Sequence, residues 1–451
     1  MSLTESAAVD VARSASIASR QLATLSNDAR NQALSALHQA LDKNRATILA
    51  ANAKDVEMAT RAAADGTLSH SILKRLDLSR PGKYDDMLQG ILSVRDLNDP
   101  VGNVTLRKLL DEGLTLERVS CPIGVLLIIF EARPEVIANI AALAIKSGNA
   151  AILKGGKESM ESFVAIANVV SEAIASSQVP VPSIQLVRTR DVVSSLLAQD
   201  SLIDLVIPRG SNELVRFVKD NTKIPVLGHA DGLCSAYVHS DAKIDIAVKV
   251  IVDSKTDYPA ACNSLETLLV HESLLDSTLP VVAQALLDKG VSLRCDSASM
   301  DALMKALPAD KRNNLSAATG ADYETEFLDL VLAVKTVSRA EDAIAHINAH
   351  SSGHTDIIIT ESREAANCFM SSIDSAGVFW NASSRFADGM RYGFGTEVGI
   401  STNKIHSRGP VGLEGLTIYK YLIRGEGHGA ADYHEGEAGR KYLHKSLPID
   451  K

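Results

Sequence analysis

Apolar residues in the first hundred positions recur at about the spacing of a helical turn. The recurring positions are Ala7, Val11, Ile17, Leu22, Leu25, Leu34, Leu37, Leu41 and Ile48. Because a helix turns once in about 3.6 residues, this recurrence predicts helices that each bury one face. Over residues 104–119 apolar and polar residues alternate instead, which predicts a β-hairpin after a turn at residues 99–102.

Strand-like and helix-like segments alternate after the hairpin. The predicted strands are 123–130, 150–153, 184–186 and 202–207, and the predicted helices are 134–146 and 163–175. Pro134 suits the first position of its helix, and Gly148 suits the position just past its end. Such alternation predicts an α/β fold with a parallel, doubly wound sheet.

A second α/β region begins near residue 252. Its predicted strands are Leu265–His271, 330–337 and 355–360, and its predicted helices are 280–289 and 340–348. A glycine-rich stretch at 389–415 follows, and then an alternating strand at 416–423. We predict that this last strand shares a projecting sheet with the hairpin. Because exposed strands leave backbone groups unpaired, we expect that sheet to pair with another subunit.

The composition is that of an ordinary globular protein with more than one domain. The chain has 451 residues, of which 46% are hydrophobic and 22% are charged. A net charge of −9 argues against a general nucleic-acid-binding protein. No apolar run approaches the ~18 residues of a membrane-spanning helix, so no membrane association is expected. Acidic residues at positions 5, 10 and 28 argue against a transit peptide, which favours a cytoplasmic protein.

Cys262 stands apart from the other four cysteines because it lies in a loop of small residues, 257–264. A substrate can reach a thiol in such a loop, and a thiolate is a strong nucleophile. The alternative is a small buried hydrophobe, which suits Cys121 and Cys234 at strand edges and Cys368 in an amphipathic helix. The cysteines form no CxxC pair, so their spacing predicts no metal site.

Two polar turns follow predicted strands. The Lys-Gly-Gly turn at 154–156 lets the backbone approach a phosphate or ribose, and its lysine supplies charge. The Arg-Gly-Ser turn at 209–211 opens a helix whose free N–H groups can receive a pyrophosphate. Each turn alone fits an ordinary β–α connection, but two in one sheet favour a nucleotide site. The Rossmann glycine fingerprint is missing, which argues against the standard Rossmann binding mode.

Arg133 sits where a predicted central strand ends and a helix begins. Ligands gather at the carboxyl ends of strands in open α/β sheets, and a guanidinium can bind a carboxylate or phosphate there. An ion pair with Glu131 or Glu135 is the alternative. For His229 and Asp231 a structural turn is favoured over acid–base chemistry, because no third ligand lies nearby in the sequence.

Taken together, six segments resemble the aldehyde dehydrogenase superfamily. They are 130–136 (FEARPEV), 148–158 (GNAAILKGGKE), 207–212 (IPRGSN), 228–232 (GHADG), 258–263 (YPAACN) and 381–389 (NASSRFADG). The likeness extends over nearly the whole chain. It is most detailed for the branch that reduces L-glutamyl 5-phosphate to L-glutamate 5-semialdehyde with NADPH in proline biosynthesis, and it implies that activity.

The resemblance also implies the domains. It implies a Rossmann-like NADP(H)-binding domain at 1–105 and 119–253 and an α/β catalytic domain at 254–402. Residues 106–118 and 403–451 would form a small β oligomerisation element. It further implies a homo-oligomer and leaves open a functional coupling to glutamate 5-kinase, which makes the substrate.

The resemblance assigns roles to individual residues. Cys262 becomes the nucleophile that takes the γ-acyl group. The residues assigned to NADP(H) are Lys154, Gly155, Arg209, Gly210, Ser211 and Glu326, the last at the nicotinamide ribose. The residues assigned to the substrate are Arg133, Ser383, Ser384 and Arg385.

The sequence departs from the superfamily pattern at two positions. Oxidising members have a water-activating glutamate where this chain has Val226, and losing it would protect a thioester from water. The usual oxyanion-hole asparagine aligns with Ala132. The alternatives are another cysteine-dependent aldehyde dehydrogenase or acyl-phosphate reductase for a related acid, a hydrolase or acyltransferase with His229 as base, and a non-enzymatic binding protein.

Overall fold

The computed structural model describes residues 3–4, 6–68, 73, 75–188, 192–229, 231–434 and 439–449. Ala230, within the segment 228–232, lies outside them. The described helices are α1 (Ala8–Leu22), α2 (Asn27–Lys43), α3 (Arg45–Ala64), α4 (Lys83–Asp96), α5 (Val136–Ser147), α6 (Met160–Ala175), α7 (Val192–Leu197), α8 (Asn212–Asp220), α9 (Ile244–Thr256), α10 (Thr278–Asp288), α11 (Ser297–Ala306), α12 (Ala340–His350) and α13 (Arg363–Ser372).

The strands belong to four sheets. They are β1 (Leu3–Thr4), β2 (Val104–Asp111), β3 (Leu114–Pro122), β4 (Val125–Phe130), β5 (Ala150–Gly155), β6 (Ile184–Val187), β7 (Leu205–Arg209), β8 (Cys234–Val238), β9 (Leu265–His271), β10 (Ser292–Cys295), β11 (Leu315–Ala317), β12 (Val331–Val337), β13 (Thr355–Ile359), β14 (Gly377–Trp380), β15 (Gly399–Ser401), β16 (Gly409–Val411), β17 (Thr417–Arg424) and β18 (Lys445–Ser446).

The first sheet is parallel, in the order β1-β6-β5-β4-β7. Its interior strand β4 is buried along its whole length. Leu126 and Ile128 enter the apolar core on one face, and Leu127 and Ile129 enter the core on the other. Because helices cover both faces, the strand is apolar at every position, and the predicted parallel sheet is confirmed.

The second sheet is also parallel, in the order β11-β10-β12-β9-β8-β13-β14. It includes β8, which pairs with β9 and β13. The domain boundary expected at residue 253 would assign β8 and most of α9 to the first domain. In the structure β8 belongs to the second sheet instead. The physical reason is that a short buried strand has the same pattern in either sheet, and only long-range pairing decides where it goes.

The third sheet joins the predicted hairpin to the late strand, as expected. It is antiparallel, in the order β17-β3-β2-β18. β17 is mostly exposed and presents Tyr419, Tyr421 and Ile423 to solvent. Its pairing with another subunit stays a prediction.

Helix ends follow the sequence signals closely, with small differences. α5 is followed by Gly148 in the left-handed conformation at φ 77°, as predicted for its stop. α10 begins at Thr278, so Pro280 is its third residue rather than its first. Cys368 is exposed on α13, which corrects the expectation of a buried thiol. Within the described ranges, no helix is long and apolar enough to cross a membrane.

Candidate active site

The polar turns and Arg133 meet at one edge of the first sheet. Phe130 at the end of β4 is in register with Gly155 of β5 and with Arg209 of β7. The carboxyl ends of these parallel strands therefore lie side by side. The segments that follow them form one surface, which is where open α/β sheets bind ligands.

The glycines at this edge are required by close packing. A Cβ atom at Gly155 would lie 1.9 Å from the ring of Phe163, which is fully buried in the core. At Gly210 it would lie 2.4 Å from the Glu131 carboxylate. Glycine is therefore required at both positions by contacts within the protein itself.

The N-terminus of α8 already receives an anionic oxygen. The Ser211 backbone N–H donates to the Glu131 carboxylate over 2.8 Å, and the Ser211 hydroxyl accepts from the Leu214 N–H at 3.4 Å. A helix N-terminus attracts negative charge. The chain's own carboxylate thus stands where the sequence predicted a pyrophosphate.

Lys154 and Arg209 use their side chains within the protein. Lys154 is buried and donates to the Gly155 carbonyl. Arg209 reaches away from its turn and donates to the Val398 carbonyl at 2.6 Å. Arg209 therefore joins the first sheet to the segment before β15, and a contact with the cofactor stays a prediction for both residues.

Cys262 lies in the loop between α9 and β9, and a buried ion pair closes the base of that loop. Lys255 Nζ lies 2.7 Å from Glu266 Oε2, with the two side chains 0% and 1% exposed. Burial raises the pKa of Glu266 to about 7 against the opposing effect of Lys255. The pair ties the last turn of α9 to the second residue of β9.

The predicted substrate serines lie behind this loop. The Ser384 hydroxyl donates to the Asn263 carbonyl at 2.6 Å, and the Ser254 hydroxyl donates to Ser383 Oγ at 3.1 Å. Both predicted serines are buried, and Ser384 is fully so. Their hydroxyls support the cysteine loop, and a contact with substrate stays a prediction.

Arg385 is also bonded to the loop. Its Nε donates to Asp257 at 3.1 Å, its Nη1 donates to the Asn263 side chain, and its guanidinium lies 6.0 Å from the ring centre of Tyr258. Arg385 thus lies within a few ångströms of residues on both sides of Cys262.

The turn before β8 packs directly on the cysteine. A Cβ atom at Gly232 would lie 2.2 Å from the Cys262 carbonyl oxygen. The Gly232 N–H is bonded to the carboxylate of Glu326, whose pKa is raised by burial. Glu326 is therefore held beside the cysteine loop, and its contact with the cofactor stays a prediction.

Two histidines flank the thiol. The Cys262 Sγ and one ring nitrogen each of His229 and His354 lie within 4.8 Å of one another. The two rings are 5.1 Å apart, edge to face. The sequence favoured a structural turn at 229; the structure shows in addition that the His229 ring lies near the thiol. His354 was missed because it lies just before β13, far along the chain from Cys262.

Arg133 belongs to a positive cluster with Arg75 and Arg209. Burial and repulsion from Arg209 lower the pKa of Arg133. Arg75 reaches the cysteine loop, where its Nη2 donates to the Ala260 carbonyl at 3.1 Å. Burial raises the pKa of Glu397 to about 7, although Arg209 opposes the shift. Sequence reasoning missed Arg75 and Glu397, which no motif marks.

Val226 and Ala132, the two positions that depart from the superfamily pattern, have different surroundings in the structure. Val226 packs against the apolar cluster that contains Val218 and Ile224, so its side chain belongs to the core of the first sheet. This packing does not support the interpretation that Val226 replaces a base facing the thiol. Ala132 has a positive φ of 46°, and its N–H donates to Glu158 at 2.7 Å.

Comparison with known proteins decides the family. A model described as "Aldehyde dehydrogenase family" matches residues 2–304. The chain belongs to the aldehyde dehydrogenase family. It is 56% identical over 429 residues to a "Probable gamma-glutamyl phosphate reductase" of Schizosaccharomyces pombe, with 95% of each chain covered. It is 50% identical to the "Gamma-glutamyl phosphate reductase" of Saccharomyces cerevisiae, with 98% of this chain and 99% of the relative covered.

Solved aldehyde dehydrogenase structures share the fold. The crystal structure of gamma-glutamyl phosphate reductase from Thermotoga maritima has a TM-score of 0.87 at 37% identity, covering 94% of this chain and 99% of that chain. An acetylating aldehyde dehydrogenase from Geobacillus thermoglucosidasius has a TM-score of 0.65 at 17% identity, covering 93% and 97%. The second likeness shows the fold alone.

The two parallel sheets contribute different kinds of groups to this region of the molecule. The first sheet offers backbone and a helix N-terminus, which suit a phosphate-bearing cofactor. The second offers a partly buried thiol beside imidazoles and positive charge, which suit covalent chemistry on an anionic acyl compound.

Proposed function

We propose that this protein reduces L-glutamyl 5-phosphate to L-glutamate 5-semialdehyde with NADPH and releases phosphate, as a step of proline biosynthesis. The observation that carries the proposal is the accessible Cys262 loop with Arg75 bonded to it and Arg133 in the same positive cluster. The names of relatives that match over at least 95% of this chain support it.

The acylation step follows from the site. The Cys262 thiolate attacks the γ-carbonyl carbon, a C–S bond forms, and the C–O bond to phosphate breaks with its electron pair leaving on phosphate. Phosphate is a good leaving group, so little acid assistance is needed. We assign Arg133 and Arg385 to the substrate carboxylate, because a guanidinium binds that group well.

The first sheet is suited to hold NADP(H). The N-terminus of α8 already binds the Glu131 carboxylate, and we infer that an anionic oxygen of the cofactor takes the place of that carboxylate. We assign Lys154, Gly155, Arg209, Gly210 and Ser211 to this cofactor, with Glu326 at its reacting end. When bound, it supplies the hydride that reduces the thioester.

Release of the aldehyde returns Cys262 to its starting state. The oxygen of the reduced adduct re-forms the carbonyl, the C–S bond breaks, and the thiolate leaves. Arg385 and Ser384 keep the loop in place through Asn263 during this cycle.

The third sheet suits an oligomerisation element. β17 is an exposed edge strand with apolar and aromatic side chains, and we propose that it pairs with a second copy in a homo-oligomer. The domain roles given by the resemblance, cytoplasmic location and coupling to glutamate 5-kinase belong to the same proposal.

The test is the reverse reaction followed by NADPH absorbance. Absorbance should rise only when glutamate 5-semialdehyde, phosphate and NADP⁺ are all present, and NAD⁺ should be a poorer substitute. Cys368→Ser, at an exposed thiol, should keep this activity, whereas Cys262→Ser should lose it by more than about 1,000-fold. Because His229 lies near the thiol, hydrolysis without any nicotinamide is the competing result.

A further inference from the structure

The Cys262 thiol and the two histidines beside it lie close enough together to hold one metal ion. Cys262, His229 and His354 come from three distant segments, and one donor atom of each lies within 4.8 Å of the others. One sulfur and two imidazole nitrogens are donors that zinc prefers, with water filling the fourth position. Because the three residues lie far apart in the sequence, no short motif contains them.

A hydrogen bond leaves one nitrogen of His229 open. Its Nδ1 lies 2.8 Å from the Ile400 carbonyl oxygen. A carbonyl can only accept, so Nδ1 carries the proton and Nε2 keeps a lone pair. Zinc-binding histidines are commonly oriented by such a bond to a backbone carbonyl.

Of the two histidines, His354 more clearly has a ring nitrogen that could bind a ligand. It is 1% exposed, and its Nδ1 lies 2.9 Å from the Thr355 hydroxyl and 3.8 Å from Cys234 Sγ. In the part of the chain that the structure describes, its buried Nε2 has no hydrogen-bond partner. Leaving a buried polar atom unpaired costs about 1–3 kcal/mol. A ligand at this nitrogen removes that cost.

We propose that Cys262, His229 and His354 bind Zn²⁺, and that this binding reversibly inhibits the enzyme. Zinc bonds of about 2.0–2.3 Å place ligand atoms about 3.3–3.8 Å apart, so donor atoms that now lie within 4.8 Å of one another must close by up to about 1.5 Å. The Cys262 thiol loses its proton to solvent and its sulfur becomes a ligand, with no change of oxidation state. A sulfur bonded to zinc no longer attacks an acyl phosphate.

Co²⁺ is the probe, because a thiolate bound to it gives a charge-transfer absorption band. Titration of the full-length protein should saturate the band, and Cys262→Ser should abolish it. His229→Gln and His354→Gln should each weaken Co²⁺ binding by more than about 100-fold, since loss of even an outer partner costs about 10- to 100-fold. The matched control is His350→Gln, whose ring lies 4.4 Å from that of His346 in a pair without sulfur. It should keep the band.

Zinc should also protect Cys262 from iodoacetamide, and EDTA should restore both alkylation and activity. Absence of the band in the wild-type protein overturns the proposal, as does a band unchanged by both histidine variants. If circular dichroism shows that His354→Gln is unfolded, His229→Gln decides alone, because His229 is only partly buried. The band does not depend on turnover, so this test stands apart from that of the reductase reaction.

Discussion

At the first sheet the turns proposed for the cofactor follow the carboxyl ends of β4, β5 and β7, whereas at the second sheet three residues at or beside the thiol precede the amino ends of strands. Cys262 lies just before β9, Gly232 just before β8 and His354 just before β13. The first region contributes mostly backbone groups to the candidate site, and the second contributes mostly side chains. Under the proposed assignment, cofactor binding and covalent chemistry use opposite ends of parallel strands.

The two regions also differ in how they are stabilised. The first rests on glycines that fit against Phe163 and Glu131. The second rests on buried polar contacts, chiefly Lys255 with Glu266 and Ser384 with Asn263. A change in a buried charge should therefore be far more damaging than a change at a turn.

The largest effect is expected from Lys255→Met. It leaves Glu266 buried without its partner, so the free energy of unfolding should fall by about 3–5 kcal/mol. Urea denaturation measures this. The double variant Lys255→Met/Glu266→Leu should recover most of the loss. Equal instability of the single and double variants would show that the pair does not hold the loop.

Gly232→Ala should impair chemistry at the cysteine. Its Cβ atom would meet the Cys262 backbone at 2.2 Å, so the loop must shift. Moving a reacting group by about 1 Å can lower the reaction rate by about 100-fold. We therefore expect kcat to fall by about that factor, with little change in the KM for NADPH. Gly320→Ala is the control, because nothing lies within 4 Å of its Cβ position. An unimpaired kcat would contradict the packing described.

Gly155→Ala is the matched change at the other region. The buried Phe163 ring cannot easily move, so the turn at 154–156 must shift. KM for NADPH should rise by about 10-fold, equivalent to about 1.4 kcal/mol, while kcat changes less. If both glycine variants change mainly kcat, or both change mainly the KM for NADPH, the proposed division of tasks between the two regions is wrong.

The smallest effect is a pH dependence from Glu397. Its pKa of about 7 in the fold lies above the ordinary 4.5, so the native state binds more protons between these values. Wild-type stability should therefore fall as pH rises from about 4.5 to about 7 and then level off. Relative to wild type, Glu397→Gln should therefore gain stability across that window and show no further gain above about pH 7. A constant difference would mean that this carboxyl is not buried beside Arg133 and Arg209.

Sequence reasoning succeeded where function follows local pattern. β4, β5, β7 and the turns after them could be predicted because continuous apolar runs and glycine turns are short-range signals. The surroundings of Cys262 could not, because His354 and Arg75 reach it only through the pairing of distant strands and helices. Nor could the sequence show that Ser383 and Ser384 are buried behind the loop, since their small polar side chains suit either place.

The central claim is that Cys262 carries the glutamyl group. The most direct measurement is peptide mass spectrometry of enzyme incubated with glutamate 5-semialdehyde and NADP⁺ without phosphate. The account predicts a glutamyl thioester on Cys262, formed with one equivalent of NADPH per active subunit and released when phosphate is added. Turnover with no modification of Cys262, or with the glutamyl group on another residue, would contradict it.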